Sequence, residues 1–456
     1  MATAVIEPDR IRTRRDGGDI AGDVVIYWMQ SAQRARHNDA LEHAIQVAND
    51  LDLPLAVVFC VVEDYPAADP RHYHFMFEGL AAVRDELARR SIAFTVFRSE
   101  PSTLLGALDH RTAHLVFDRG YLPIQRRWRD EAAESTTTPI DEVETEVVVP
   151  IHLVSDHVET AARTIRPKIQ KHLDDFIVER RTTAVTHPSL TEGRATIDLR
   201  RTASSCDTVD LDDELRDGRG FDRWKGGTNP AVAKLRFFCT DVLSDYADLR
   251  NRFDLQNSSS ELSPHLHFGQ ISPVEVVRRA RASGADQDQV EAFVDEVVVR
   301  RELAANFVEF NANHASWKGL PHWATDTLDQ HRNDDREAVF TAAELEAGET
   351  NDEIWNTIMA VIRGEGWVHN QLRMYWGKQV LRWTNNPEHA FRTLLDLNNR
   401  HFLDGRDANS YANVAWCFGR HDQGFQERDV IGKIRPFTDQ ALQRKGDLDA
   451  WLESNR

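Results

Sequence analysis

Four short apolar runs in the first third of the chain, VVIYWM (24–29), LAVVFCVV (55–62), AFTVFRS (93–99) and HLVFDR (114–119), are separated by helix-like segments such as NDALEHAIQVAND (38–50) and HYHFMFEGLAAVRDELARR (72–90). This alternation leaves few options. Parallel strands need long crossovers, so the first third builds βαβ units around a parallel, Rossmann-like sheet. EVVVPI (146–151) reads as a fifth strand closing it. No GxGxxG follows the first strand and no GxxxxGKS/T occurs, so the usual dinucleotide and P-loop readings have no support. Beyond residue 220 the strand-like runs vanish and the pattern turns helical, and 456 residues exceed one ordinary core. The expected organisation is a flexible N-terminal arm (1–20), an α/β domain on a five-stranded parallel sheet (21–155), an interdomain linker (156–220) and an all-α domain (221–456).

Hydrophobic content of 41% and charged content of 28% describe a soluble globular protein. No apolar run approaches the ~20 residues that span a bilayer, and the N-terminus lacks the apolar core of a secretory signal. Cys60, Cys206, Cys239 and Cys417 are scattered without a CxxC, against a disulfide framework or a zinc site. A cytoplasmic monomer without membrane attachment is expected, nucleoid-associated if the source is prokaryotic. The net charge of −19 argues against a generic nucleic-acid binder but is compatible with a local basic groove.

Nine of the eleven tryptophans fall after residue 220, so any aromatic chemistry belongs to the helical half. In MYWGKQVLRW (374–383), Trp376 and Trp383 stand seven residues apart. Two helical turns put them on one face, about 10.5 Å apart along the axis. Core packing explains such a pair by default. The preceding helix, NDEIWNTIMAVIR, runs into Gly364-Glu365-Gly366, and the chain then returns. In an antiparallel hairpin Trp355 and Trp376 lie at the same level, because both are ten or eleven residues from Glu365. Three indoles in line are harder to ascribe to packing than two.

Three other stretches stand out. SSSELSPHLHFGQIS (258–272) offers hydroxyls and backbone N–H groups at a helix start, suited to phosphate, although a hydroxyl-rich N-cap explains it about as well. His265 and His267 have no carboxylate or Cys spacing beside them, so no metal is expected. In VDEVVVRRELAANF (294–307), Glu296, Arg300 and Arg301 follow one another along a helix, where a plain Glu–Arg pair is the simplest account. LNNRHFLDGRDANSYANVAWCFG (397–419) packs Asn, Asp and Arg among aromatics, which is costly unless a polar ligand is held there.

Taken together, these strings resemble the class II cyclobutane pyrimidine dimer photolyases of the photolyase and cryptochrome superfamily. The likeness runs through nearly the whole chain, in VVIYWMQSAQRARHNDAL, YHFMFEGL, AARTIRPKI, LSPHLHFGQIS, VRRELAANF, MYWGKQVLRWT, LDGRDANSY, VAWCFG and GKIR. The resemblance implies an α/β antenna domain and a helical domain holding FAD, active as the anionic reduced form FADH−. It implies that Trp376, then Trp355, then Trp383 carry electrons from the surface to the flavin. It places Tyr246, Ser258, Ser259, Ser260, Leu262 and Ser263 around FAD, Arg373 and Asp404 as an ion pair beside the isoalloxazine, and Asn398 near flavin N5. Glu296, Met374, Arg300 and Trp416 match the pocket for a flipped-out dimer in single- or double-stranded DNA. A second, antenna chromophore, deazaflavin or folate, is possible in such a family, and no motif here chooses between them.

Some positions depart from that family's pattern. Asn370-Gln371 replace Gly-Tyr before the RMYW string, and Gln423 and Phe425 replace Arg and Trp in the finger that fills the hole left by the dimer. Phe still serves as a wedge. Gln423 loses a phosphate-binding charge, while Lys433 and Arg435 remain as the local basic patch. Two rival functions are a (6-4) photolyase, which depends on active-site histidines, and a light-signalling cryptochrome without repair. Here the motifs run to GKIRPF, close to the end of the given sequence.

Overall fold

The computed structural model describes residues 6–17 and 22–455. Its N-terminal part is a sheet with the order β1-β6-β5-β2-β3-β4, followed by a short edge at Asp207–Thr208. β2 (Val24–Met29), β3 (Leu55–Val61), β4 (Ala93–Arg98), β5 (Thr112–Asp118) and β6 (Ile140–Val143) are parallel. Helices Asp39–Asp50 and Pro70–Arg89 provide two of the crossovers. Every residue of β2 is buried, as expected for a parallel strand covered on both faces.

The structure corrects three expectations. Part of the supposed arm is β1 (Ile11–Arg15), antiparallel to β6. The buried Arg10 guanidinium fixes it, donating to the carbonyls of Glu144 (3.0 Å), Val147 (3.1 Å) and Val148 (2.6 Å). The remainder of residues 1–20 lies partly outside the described residues.

The fifth parallel strand is Ile140–Val143, not EVVVPI. Residues 147–149 run irregularly along the seam between the two halves, where the N–H groups of Val148 and Val149 both donate to Glu302 (2.8 and 2.9 Å). Burial on all sides makes them apolar without a ladder. Residues 156–220 are also more than a linker. Helix Ala162–Phe176 buries Ile165, Ile169 and Leu173 with Phe238 and Val298 of the helical part. Asp207–Thr208 then pairs antiparallel with β4. Five parallel strands are present, the number expected, and the two antiparallel edge strands bring the sheet to seven.

The helical half contains two departures from α geometry, wide turns at Phe238–Val242 and Asp295–Arg300. Such π turns frequently occur at functional sites, and the second carries Glu296 and Arg300. The tryptophan hairpin is built from helices Glu353–Glu365 and Asn370–Trp383. Gly366 ends the first in the left-handed region (φ +68), its N–H bonded to the Ile362 carbonyl at 2.8 Å. A Cβ there would stand 2.8 Å from the Phe221 ring, so the turn needs glycine on both counts.

Candidate active site

Asp352 caps the helix Glu353–Glu365 by accepting from the Trp355 N–H at 2.8 Å, which fixes the indole at the first turn. The returning helix brings Trp376 against it. The two rings stack with centroids 5.6 Å apart and planes 11° from parallel. Trp383 meets the other side of Trp355 edge-on, also at 5.6 Å. All three indoles are buried, Trp376 at 2%, Trp355 at 0% and Trp383 at 6% exposure. The inner end continues through Phe402, 5.6 Å from Trp376, to the Arg373 guanidinium 4.1 Å over Phe402. Arg373 makes a two-pronged pair with Asp404, at 2.9 and 3.0 Å. Rings therefore lead without a break from a half-buried ion pair to Trp383, which is itself covered edge-on by Phe340.

Asn398 is buried and donates to Asn399 at 3.2 Å. Ser258 is buried, Ser259 and Ser260 are half-buried and Ser263 is exposed. The helix Ser263–His267 is only five residues long, so its dipole adds little and the serine stretch must rely on its own hydroxyls and N–H groups. Glu261 beside them is in the left-handed region (φ +51) and binds two cations the sequence did not flag, Arg223 (2.5 Å) and Lys234 (3.1 Å). Leu262 and Tyr246 belong to a hydrophobic core. The Tyr246 ring packs edge-on against Phe238 and Phe293, and burial pushes its phenol up to about 12.

Of the residues named for the substrate, Glu296 accepts a hydrogen bond from Arg250 at 2.6 Å, and the same guanidinium lies 5.9 Å over the Tyr246 ring. Arg250 links two named residues and was missed, because its role depends on a contact 46 positions away. Arg300 is exposed and pairs loosely with Asp295 at 3.5 Å. Met374 is half-buried beside the main core. Trp416, at the end of helix Ala408–Cys417, lies under two cations: the Lys378 ammonium at 5.0 Å and the Arg435 guanidinium at 5.8 Å. Arg435 also stacks on Phe425 at 4.3 Å and is held by Asp422 at 2.7 and 2.8 Å. It therefore bridges Phe425 and Trp416, with its charge matched by Asp422. Lys433 is half-exposed with Glu427 at 4.0 Å, and Gln423 is exposed. Of the departures before RMYW, Asn370 is exposed at a helix start, while buried Gln371 donates to Asn251 at 2.7 Å.

A separate cavity of about 120 Å³ opens at the carboxyl ends of β2 and β3, lined by Trp28, Phe59, Tyr65, Trp128 and His267 among others. This is where ligands bind in open α/β sheets. Gln30 and Gln33, also in its wall, each keep a buried side-chain atom without a hydrogen-bond partner. Among the described residues no cluster of His, Cys, Asp and Glu fits a metal, and no helix is long and apolar enough to cross a membrane.

Comparison with known proteins agrees with this architecture. The DNA photolyase family model matches residues 25–189. The deoxyribodipyrimidine photo-lyase of Methanothermobacter thermautotrophicus is 39% identical, over 99% of both chains. That of Arabidopsis thaliana is 33% identical over 99% of this chain and 93% of its own. Among solved structures, the archaeal photolyase of Sulfolobus tokodaii with two FAD molecules superposes with a TM-score of 0.69 at 17% identity, covering 94% of this chain and 89% of its own. The cryptochrome of Synechocystis gives 0.72 at 16% identity, over 94% and 88%, a likeness of fold. Identity sustained from end to end of both chains settles the relationship: the chain belongs to the DNA photolyase family, among the deoxyribodipyrimidine photo-lyases.

Proposed function

We propose that the helical half binds FAD, and that the protein uses light to split cyclobutane pyrimidine dimers flipped out of DNA, as a class II member of its family. The observation that carries this reading is the unbroken line of rings from Trp383 to the Arg373–Asp404 pair. Reduced FAD supplies one electron under light and accepts it back, so the repair has no net redox change. The chain's own residues do the rest. Arg373, with Asn398 at hand, favours an anionic ring system, the usual way a protein tunes a bound flavin. Ser258, Ser259, Ser260 and Ser263 hold its phosphates, with Tyr246 and Leu262 walling the site.

Trp416 gives the flipped dimer a stacking face, and Met374 shapes the pocket. Glu296, oriented by Arg250, hydrogen-bonds a thymine carbonyl and steadies charge developing on the opening ring. Trp376, Trp355 and Trp383 pass electrons inward to restore the reduced cofactor. The cavity at β2 and β3 suits a planar antenna chromophore, deazaflavin or folate, whose ring polar atoms Gln30 and Gln33 are free to meet. Releasing bound chromophores by denaturation and recording their absorption separates those two classes.

Lesion specificity is tested with three oligonucleotides under blue light. A cyclobutane dimer should be repaired, while a (6-4) photoproduct and an undamaged control should stay unchanged. Repair of the (6-4) lesion, or of neither lesion, would replace this reading with the (6-4) or the cryptochrome one.

The finger gives a second test. Phe425 is held against Arg435, and no cation replaces Gln423, so the wedge supplies most of what this segment contributes to duplex binding. Phe425→Ala should weaken binding to dimer-containing duplex by about tenfold, and binding to dimer-containing single strands much less, because a single strand leaves no hole to fill. Gln423→Arg should tighten duplex binding and steepen its salt dependence by about one phosphate contact. Titrations on both substrates at two salt concentrations read both effects. Equal losses on single and double strands would reduce the finger to a surface loop.

A further inference from the structure

Cations are distributed unevenly over the tryptophans of the helical half. Trp224 has Arg223 and Lys234 over its ring, Trp367 has Arg223 and Arg373, and Trp416 has Lys378 and Arg435. Among the described residues no such contact falls on Trp355, Trp376 or Trp383. The indole N–H groups of Trp355 and Trp376 instead donate to electron-rich acceptors, the Leu345 carbonyl and the Met359 sulfur, both at 3.1 Å. A cation over an indole face stabilises the neutral ring, and once that ring loses an electron the attraction becomes a repulsion that low dielectric amplifies. A hydrogen-bond acceptor at the N–H has the opposite effect. The three wire indoles are thus the easier to oxidise, and Trp416 is made harder.

Lys378 is the unusual member. It is buried (3% exposed), and its ammonium donates to the Cys417 carbonyl at 2.5 Å. No carboxylate lies within ion-pair distance of it among the described residues, since Asp422 is taken by Arg435. An ammonium buried in this way is costly and needs a reason. It stands two residues from Trp376 and touches the residue after Trp416, so both indoles are in its neighbourhood.

We propose that Lys378, assisted by Arg435, insulates Trp416 against oxidation, so that the electron entering the cofactor comes through Trp376 and not from the indole that faces the substrate. Lys378 is a positioning residue in this account, acting through Trp416, and the account rests on the wire reading above. Each event moves one electron from Trp383 through Trp355 and Trp376 to the bound oxidised flavin. Trp383 then releases its N–H proton to water, and an external thiol returns the hydrogen atom. Were Trp416 oxidised instead, the damage would fall on the indole that faces the substrate.

The test uses flavin-loaded full-length protein in which Trp376→Phe has closed the wire. Two quantities are read: the excited-state lifetime of the bound oxidised flavin, and the tryptophan oxidation products found by mass spectrometry after long illumination. Adding Lys378→Gln, which keeps a hydrogen-bond donor and removes the charge, should shorten the lifetime by about tenfold. Oxidation products should then appear at Trp416, whereas Lys378→Arg should change neither quantity. An unchanged lifetime with Lys378→Gln would overturn the insulation while leaving the wire intact. If Trp376→Phe alone fails to lengthen the lifetime, the wire itself is wrong and the insulation falls with it.

Should Lys378→Gln not fold, pH performs the same experiment on the Trp376→Phe protein. Burial pushes the Lys378 ammonium down to about 8. Of the groups facing it, Arg435 stays charged, Asp422 stays ionised and burial pushes the Cys417 thiol up. Moving from about pH 6.5 to about pH 9.5 therefore neutralises Lys378 and should shorten the lifetime. A flat response would contradict the proposal.

Discussion

Trp376→Phe should leave FAD content unchanged and abolish photoreduction, lowering its rate by at least about a hundredfold, the factor that ~2.7 kcal/mol of barrier carries. Phe has no accessible oxidation at this position, and Trp355 is separated from the inner end by the whole stacked ring. Enzyme reduced chemically should still repair dimers, because the wire serves only to reload the cofactor. That pair of results distinguishes a conduit from a packing residue, since loss of packing would impair both. Trp383→Phe should slow photoreduction less, as it removes the outermost member and leaves the inner stack in place. Normal photoreduction by the Trp376 variant would remove the role assigned to it.

Asp404→Ala should nearly eliminate flavin retention. The carboxylate is 8% exposed and the guanidinium of Arg373 21%, so removing the acid strands a mostly buried cation against Phe402. Breaking a fully buried pair costs ~3–5 kcal/mol, and the residual exposure of Arg373 brings this to about 2–3 kcal/mol. The loss should appear in the melting temperature and, more strongly, in the flavin-to-protein ratio after gel filtration. Asp404→Asn, which keeps an acceptor, should fall between the two. Full occupancy at wild-type stability in Asp404→Ala would show that the pair does not support the cofactor site.

The central strands were legible because parallel strands covered on both faces must be apolar throughout, and Val24–Met29 is entirely buried. The same logic failed at EVVVPI, since a seam buried on all sides has the composition of a strand without its pairing. β1 escaped notice because IRTRR shows most of its side chains to solvent and owes its place to Arg10, whose backbone-carbonyl partners lie more than 130 residues away. In the helical half, periodicity alone gave the level of Trp355 and Trp376. The Asp residues among the aromatics of 397–419 suggested a partner for Arg373, and family resemblance chose Asp404, 31 positions away. Arg250 under Glu296, Lys378 over Trp416 and the matching of Arg435 by Asp422 had no local signature. Each depends on chain segments that meet only in the folded protein.

The account rests on a borrowed electron: the chain lends one to the dimer through its cofactor and recovers it when the ring opens. Counting dimers repaired per protein tests this most directly. Anaerobic enzyme, reduced once and freed of reductant, is illuminated with a large excess of a dimer-containing oligonucleotide. The account predicts many dimers split per protein molecule, none in the dark, and a flavin absorption spectrum that is still that of the reduced form at the end. Repair that stops at about one dimer per protein, with the flavin left oxidised, would mean the electron is consumed and would contradict it.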